Sequence, residues 1–261
     1  MTIKENTLFG VVDKVKIAIA RLKEYEPMIG YYLAFSGGKD SQCIYHLAEM
    51  AGVKFDAHFS VTTVDPPELI RFIKKYYPSV EFIKPEITMW QLIPKKLMPP
   101  TRIMRYCCEK LKEGGGSDRI VVTGIRWAES NKRKKRQIVE QCFKNKHRTF
   151  VNPIIDWSDQ DVWEFIKSND LSYCKLYDQG QKRIGCVMCP LQGKDGMLRD
   201  MVRWPKISMA YYKAFDNMLM NRKQRDLPCN WETSWQVMEW WIYGKENNET
   251  LTDPDQTVMF E

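Results

Sequence analysis

Residues 34–43 read "AFSGGKDSQC". Two glycines, a lysine, an aspartate and two serines follow the apolar run "GYYLAF" and precede "QCIYHLAEMAG", whose apolar residues have helical spacing. A strand, a tight glycine turn and a helix N-terminus in that order make an anion site, because successive backbone N–H groups and the helix dipole face one point. Gly37 and Gly38 let the backbone approach phosphate oxygens with no Cβ in the way. Ser36 and Ser41 offer hydroxyl donors and Lys39 a positive charge. Asp40 offers a helix cap or a ligand for magnesium. The spacing is not that of a Walker A loop, which places four residues between its glycines and then Lys-Ser/Thr.

Sulfur is the second chemistry-bearing set. Of eight cysteines, Cys107 and Cys108 are adjacent in "MRYCCEKLK", and Cys186 and Cys189 form Cys-x-x-Cys in "IGCVMCP". Four thiolates in two pairs suit zinc or an iron–sulfur cluster, and the Cys-x-x-Cys alone suits a redox pair. Cys43, Cys142, Cys174 and Cys229 have no paired spacing and read as core or surface thiols. His46, His58 and His147 show no ligand spacing.

These residues need elements to hold them. Residues 8–26 have the pattern of an amphipathic helix, with Val11, Val15, Ile17, Ala18, Ile19 and Leu22 on or near one face. Strands are expected at Tyr31–Phe35, in "VKFDAHFSVTT", in "VEFIKP" and in "RIVVTGI". Helices are expected at 40–51, in "DPPELIRFIKKYYP", at 89–97, at 102–112 and in "WSDQDVWEFIKSND", where Ser158 is the expected N-cap. Alternation of this kind predicts a parallel α/β sheet flanked by helices, with ligands at the carboxyl ends of the strands. Past residue 195 the chain turns helical and rich in Met and aromatics. Residues 1–194 therefore read as an α/β nucleotide-binding domain and 195–261 as a helical C-terminal extension, whose aromatic stripe is expected to be core.

The chain has 261 residues, 44% hydrophobic and 28% charged, with net charge +7. That is globular composition with a bias toward anionic partners. No apolar run has membrane-spanning length, and the N-terminus lacks a signal-peptide layout, so a cytoplasmic location is expected. The run "NKRKKRQ" at 131–137 and "KNKHR" at 144–148 make 131–148 a candidate nucleic-acid contact, or simply a solvated face.

The turn "SGGKDS" resembles the PP-loop of the ATP-pyrophosphatase superfamily. More of the chain is similar to that superfamily's phosphoadenosine-phosphosulfate (PAPS) reductase branch. Asp65, Pro67 and Glu68 in "VTTVDPPEL" match its second motif, although Pro66 replaces a Thr-Gly. In "TGIRWAESNKR", Gly124, Arg126, Glu129, Ser130 and Arg133 match its G-x-R-x-x-E-S-x-x-R. "NPIIDWSDQDVWEFI" resembles a further segment, and the likeness runs from about 28 to 192.

The resemblance implies a HUP-like, Rossmann-type fold. It also implies that an adenine nucleotide is held by Ser36, Gly37, Gly38, Lys39, Asp40, Ser41, Thr62, Asp65, Gly124 and Arg126. Lys39, Asp40 and Arg126 would act in catalysis. The cysteine order is that of the adenylylsulfate (APS) reductases, where Cys107, Cys108, Cys186 and Cys189 would hold a 4Fe–4S cluster; zinc ranks second.

Two departures set this chain apart from the reductases. The motif Glu-Cys-Gly-Leu-His does not occur, and "DLPCNWET" around Cys229 does not replace it. The PP-loop is intact, where sulfonucleotide reductases carry a degraded one. Both point to a relative that uses ATP with magnesium, adenylates an acceptor and transfers sulfur. A cysteine desulfurase is a candidate sulfur donor and a homo-oligomer a candidate assembly. The alternatives are a PAPS or APS reductase whose nucleophile has moved to Cys229, and a non-catalytic nucleotide-binding subunit of a nucleic-acid sulfur-modification complex.

Overall fold

The computed structural model describes residues 3–7, 10–141 and 148–244. Two compact units emerge. Residues 1–89 and 106–186 form the first, and 90–105 and 187–261 the second.

In the first unit the chain opens with an antiparallel pair, β1 (Lys4–Thr7) and β2 (Gly10–Asp13). Helix α1 begins only at Lys14 and runs to Glu24. The helix expected from residue 8 is thus corrected. Val11 and Val12 are β-branched and favour a strand, and Asp13 sets the helix start by accepting from the N–H groups of Val15 and Lys16.

Six strands form the central sheet in the order β5-β4-β3-β6-β8-β7. These are β3 (Tyr31–Ala34), β4 (Phe55–Ser60), β5 (Glu81–Ile83), β6 (Ile120–Val122), β7 (Val139–Gln141) and β8 (Thr149–Val151). All neighbours are parallel except β7, which runs antiparallel to β8. Leu33 lies opposite both Ala57 and Val122 in the ladders and, with Ile44, Leu47, Val151 and Ile155, is fully buried. From β3 the chain steps outward to β4 and β5, then returns to place β6 on the other side of β3. The order reverses between β3 and β6, and in open α/β sheets the carboxyl ends of the strands at such a reversal are where ligands bind.

Helices α2 (Lys39–Ala51), α3 (Pro67–Tyr76), α5 (Tyr106–Leu111) and α6 (Asp159–Ser168) complete this unit. Ser158 caps α6 as expected and shares a capping box with Asp161. The helix expected over 102–112 is shorter, because Thr101 and Met104 close a turn on each other.

In the second unit, residues 90–96 of α4 (Met89–Lys96) join α7 (Gly193–Arg203), α8 (Pro205–Gln224) and α9 (Ser234–Tyr243). Tyr211, Phe215 and Met218 on α8 are buried, and the Trp241 ring centroid lies 4.8 Å from Tyr211 and 5.4 Å from Phe215. Much of the aromatic stripe is core, as expected, whereas Trp235 and Tyr243 are exposed. Trp241 finds its hydrogen-bond partner in the Pro100 carbonyl at 2.6 Å. Among the described residues, no helix is long and apolar enough to cross a membrane.

Lys14 and Asp161 join α1 to α6 at 2.8 Å, and each side chain is about one-eighth exposed. Burial alone would raise the Asp161 carboxyl pKa, but the bonds from Lys14 and Ser158 win and hold it below the ordinary value. A depressed aspartate stabilises the fold above its unfolded pKa of about 3.9 and loses that contribution as pH falls through the folded value. The melting temperature should therefore drop as pH is lowered below about 4. Asp161→Asn should cost about 3 kcal/mol at pH 7 and flatten that acid limb, as read by thermal melts across pH.

Candidate phosphate-binding site

The turn after β3 is shaped by its own residues and by α3. Gly37 has φ +70, and a Cβ there would sit 2.7 Å from the side chains of Leu69 and Ile73 on α3. Both the conformation and the space demand glycine. Ser41 Oγ donates to the Gly38 carbonyl at 2.8 Å, Ser36 Oγ lies 3.2 Å from Ser41 Oγ, and the Gly38 N–H points at Ser36 Oγ. The two serines thus brace the turn from inside. Gln42, fully buried, donates to the Gly37 carbonyl at 3.1 Å and is a further brace.

Four charges meet at the mouth of this turn. Lys39 Nζ lies 2.9 Å from Asp159 Oδ1 and 3.2 Å from Asp40 Oδ1. Arg126 Nε lies 2.7 Å from the same Asp40 oxygen, and its Nη2 lies 2.6 Å from the same Asp159 oxygen. The ring is closed: two cations, each shared by two carboxylate oxygens. Arg126 is 2% exposed, and its remaining Nη1 donates to the Trp157 carbonyl. The Lys39 bond, with Arg126 behind it, holds the Asp159 carboxyl below its usual value. Gly124 is required because a Cβ would meet the Asp40 backbone at 2.9 Å. The close approach of β6's end to the first turn of α2 puts Arg126 and Asp40 in reach of each other.

Tyr177 completes the turn from a distant segment. Its hydroxyl accepts the Lys39 backbone N–H at 2.9 Å. Its ring packs edge-on against Trp163, and burial pushes its pKa up.

Thr62 and Asp65 stand at the end of β4. Asp65 accepts from both the Thr62 N–H and its hydroxyl at 2.7 Å, so the pair closes a turn on itself. Burial pushes the Asp65 pKa up against those two bonds. Thr62 also meets sulfur, since Cys186 Sγ lies 3.5 Å from its hydroxyl oxygen. Lys112 reaches the same place. The charge of Cys186, acting against desolvation and supported by Asp65 and Cys108, raises the pKa of its ammonium. Thr62, Asp65, Cys108, Lys112 and Cys186 thus form one cluster within the first unit.

Cys107 and Cys108 are half-buried on α5, and Cys189 begins a turn in the second unit. None of the four cysteines is in a disulfide. Met188, between Cys186 and Cys189, has a left-handed backbone with φ 56. The donor chemistry of the four cysteines fits a group held by sulfur, and the Lys112 ammonium stands beside two of them. Among the described residues no three His, Cys, Asp or Glu side chains gather closely enough to hold a metal ion.

Asp159, Tyr177, Lys112 and Gln42 are absent from the site expected on sequence. Asp159 lies within the "WSDQDVW" segment but carries no spacing signal, Gln42 adjoins the turn in sequence without a motif to mark it, and Tyr177 and Lys112 are brought in by tertiary packing.

The basic run is only partly free. Arg133 pairs with Glu129, Arg136 pairs with Glu140, and the Arg136 carbonyl accepts from Trp127 Nε1 at 2.8 Å. Lys132, Lys134 and Lys135 remain exposed on the short 3-10 turn at 133–135. Arg148 is buried and donates to the Glu113 and Gly114 carbonyls, so it serves the fold. Residues 144–147 lie outside the described residues, as do Cys142 and His147.

A glycine turn and two buried cations, Lys39 and Arg126, thus stand at the switch point of a mostly parallel α/β sheet, the place where such folds take their ligands. Comparison with known proteins agrees. The phosphoadenosine phosphosulfate reductase domain matches residues 30–192, and the chain belongs to that family. An uncharacterized protein of Methanocaldococcus jannaschii is 32% identical over 184 residues, covering 67% of this chain and 44% of that protein. Adenosine 5'-phosphosulfate reductase of Bacillus mycoides is 28% identical over 225 residues, covering 78% of this chain and 92% of the relative. The crystal structure of PAPS reductase from Candida auris shares the fold, with TM-score 0.50 and 18% identity over 65% of this chain and 87% of that one.

Gly37→Ala should break the turn, since the added methyl meets both backbone strain and α3. Pyrophosphate binding by calorimetry should fall at least about tenfold, and stability by about 1–3 kcal/mol in thermal or denaturant unfolding.

Proposed function

We propose that this protein is an ATP-dependent sulfur-transfer enzyme. ATP with magnesium binds at residues 36–41. An acceptor oxygen attacks the α-phosphorus, pyrophosphate leaves, and a sulfur nucleophile then displaces AMP from the adenylated acceptor. The observation that carries the reading is the pair of buried cations, Lys39 and Arg126, set over an intact amide-lined turn. That arrangement suits a leaving pyrophosphate, whose charge grows as the α–β bond breaks. Lys39 and Arg126 would neutralise it, and Asp40 would turn to magnesium. Gly124 and Thr62 would line the crevice, with Asp65 holding Thr62.

Cys107, Cys108, Cys186 and Cys189 would hold a 4Fe–4S cluster, with zinc as second choice for the same thiolates. Such a cluster, when bound, supplies a soft metal surface for sulfur or electrons. Lys112 would place a positive charge beside Cys186 and Cys108. The sulfur donor would be a protein of the cysteine desulfurase kind.

A nucleic acid is the proposed acceptor, met by Lys132, Lys134 and Lys135. The turn that carries them is held by the Arg133–Glu129 and Arg136–Glu140 pairs and by Trp127. Reversing the three lysines to glutamate should weaken oligonucleotide binding in fluorescence anisotropy. The slope of log K against log salt should shrink by about 2 to 3, the share of three phosphate contacts. An unchanged slope would return the run to a solvated face.

A reductase reading has its own support in the name of the Bacillus relative. It would need Cys229, an exposed thiol, as nucleophile. The deciding experiment is anaerobic incubation of the iron-reconstituted protein with magnesium, ATP, APS, PAPS and reduced thioredoxin, read by mass spectrometry. AMP and pyrophosphate from ATP are expected. Sulfite that disappears with Cys229→Ser would make the protein a reductase.

A further inference from the structure

The ring around Lys39 and Arg126 joins unequal carboxylates. Asp40 sits in the first turn of α2, and its side chain is 26% exposed. Asp159 sits in the first turn of α6, and its side chain is 73% exposed. Yet a single oxygen of Asp159 accepts from both Lys39 Nζ and Arg126 Nη2. An oxygen bridging these two cations is what a bound phosphate would present. The Lys39 backbone N–H, another donor a phosphate would use, is already taken by the Tyr177 hydroxyl. The turn therefore holds two protein groups in the places of ligand oxygens.

We propose that Asp159 is an internal competitor for pyrophosphate: it yields Lys39 and Arg126 to the bound nucleotide and returns to them to drive the product out. This rests on the pyrophosphate-forming reading given above.

The energetics favour a reversible exchange. A carboxylate at a helix N-terminus and largely in water loses little when it swings free, because solvent and the helix dipole receive it. Its return restores two charge-assisted hydrogen bonds and keeps Arg126 from standing half-paired in the interior. Pyrophosphate offers more charge and more acceptor oxygens than one aspartate, so it can win the site. The competitor lowers the net gain of binding, which keeps a highly charged product from being trapped on a strongly basic turn. Asp40 is less suited to this task, because its side chain is 26% exposed against 73% for Asp159, and so has less water to swing into.

The test measures pyrophosphate binding to the full chain by calorimetry, and dissociation by stopped flow, for the unaltered protein and three variants. Asp159→Asn keeps the shape and removes the competing charge. It should bind pyrophosphate about tenfold tighter or more, the scale of the charge-assisted bonds that no longer need breaking, with the gain in slower dissociation. Asp159→Glu restores a carboxylate and should return affinity toward that of the unaltered protein. Asp156→Asn, whose parent carboxylate pairs with Arg21, should leave binding unchanged. Thermal melts of each variant confirm that the compared proteins are folded. Equal or weaker binding by a folded Asp159→Asn would overturn the inference and make Asp159 a structural or ligand-holding residue. A gain carried wholly by faster association would overturn the release role. If the unaltered protein and Asp159→Asn both fail to bind pyrophosphate, the pyrophosphate-forming reading falls, and this inference with it.

Discussion

The burial of Arg126 is the constraint on which the site depends. A guanidinium 2% exposed cannot be left unpaired, since breaking a buried pair costs about 3–5 kcal/mol. Its partners must come from elements far apart in sequence: Asp40 from the first turn of α2, Asp159 from the first turn of α6, and the Trp157 carbonyl. Satisfying one arginine thus brings the start of α2, the end of β6 and the start of α6 together. Gly124 permits the approach, and Lys39 is drawn into the same ring. The charge that would meet a phosphate and the charge that fastens these segments are one and the same.

The anion turn and the Rossmann-type alternation were legible in the sequence because they depend on local rules. Glycine at 37, the Ser158 cap and the helical period of "QCIYHLAEMAG" each act within a few residues. What could not be read was tertiary. Strands β7 and β8 are three residues each, too short to show a period, and exist because β6 offers an edge. The opening helix was expected too early because alternating apolar residues at 11–19 fit both periods, and only the Asp13 cap decides the start. Tyr177 and Asp159 carry no motif signal of their own and become part of the site only when the loop and α6 fold onto the turn.

The cysteines show a different limit. Their order in the chain points to a cluster, but order does not fix convergence. Two adjacent residues on a helix point about 100° apart, so Cys107 and Cys108 cannot both face one centre without help from backbone geometry. Lys112, one turn on from Cys108, is drawn instead toward Cys186 and Asp65. An ammonium among thiols supplies the positive charge that thiolates need.

One segment links this sulfur to the phosphate turn. From Tyr177, whose hydroxyl holds the Lys39 amide, nine residues lead to Cys186, whose thiol meets Thr62 at the end of β4. Its two ends touch the loops that follow neighbouring strands, β3 and β4. A phosphate that claims the Lys39 N–H would displace the Tyr177 hydroxyl, whose half-buried ring packs edge-on against Trp163. The same short segment therefore answers to two constraints at once, the Lys39 amide at one end and the Thr62 hydroxyl at the other, so the glycine turn and the place of Cys186 are fixed together.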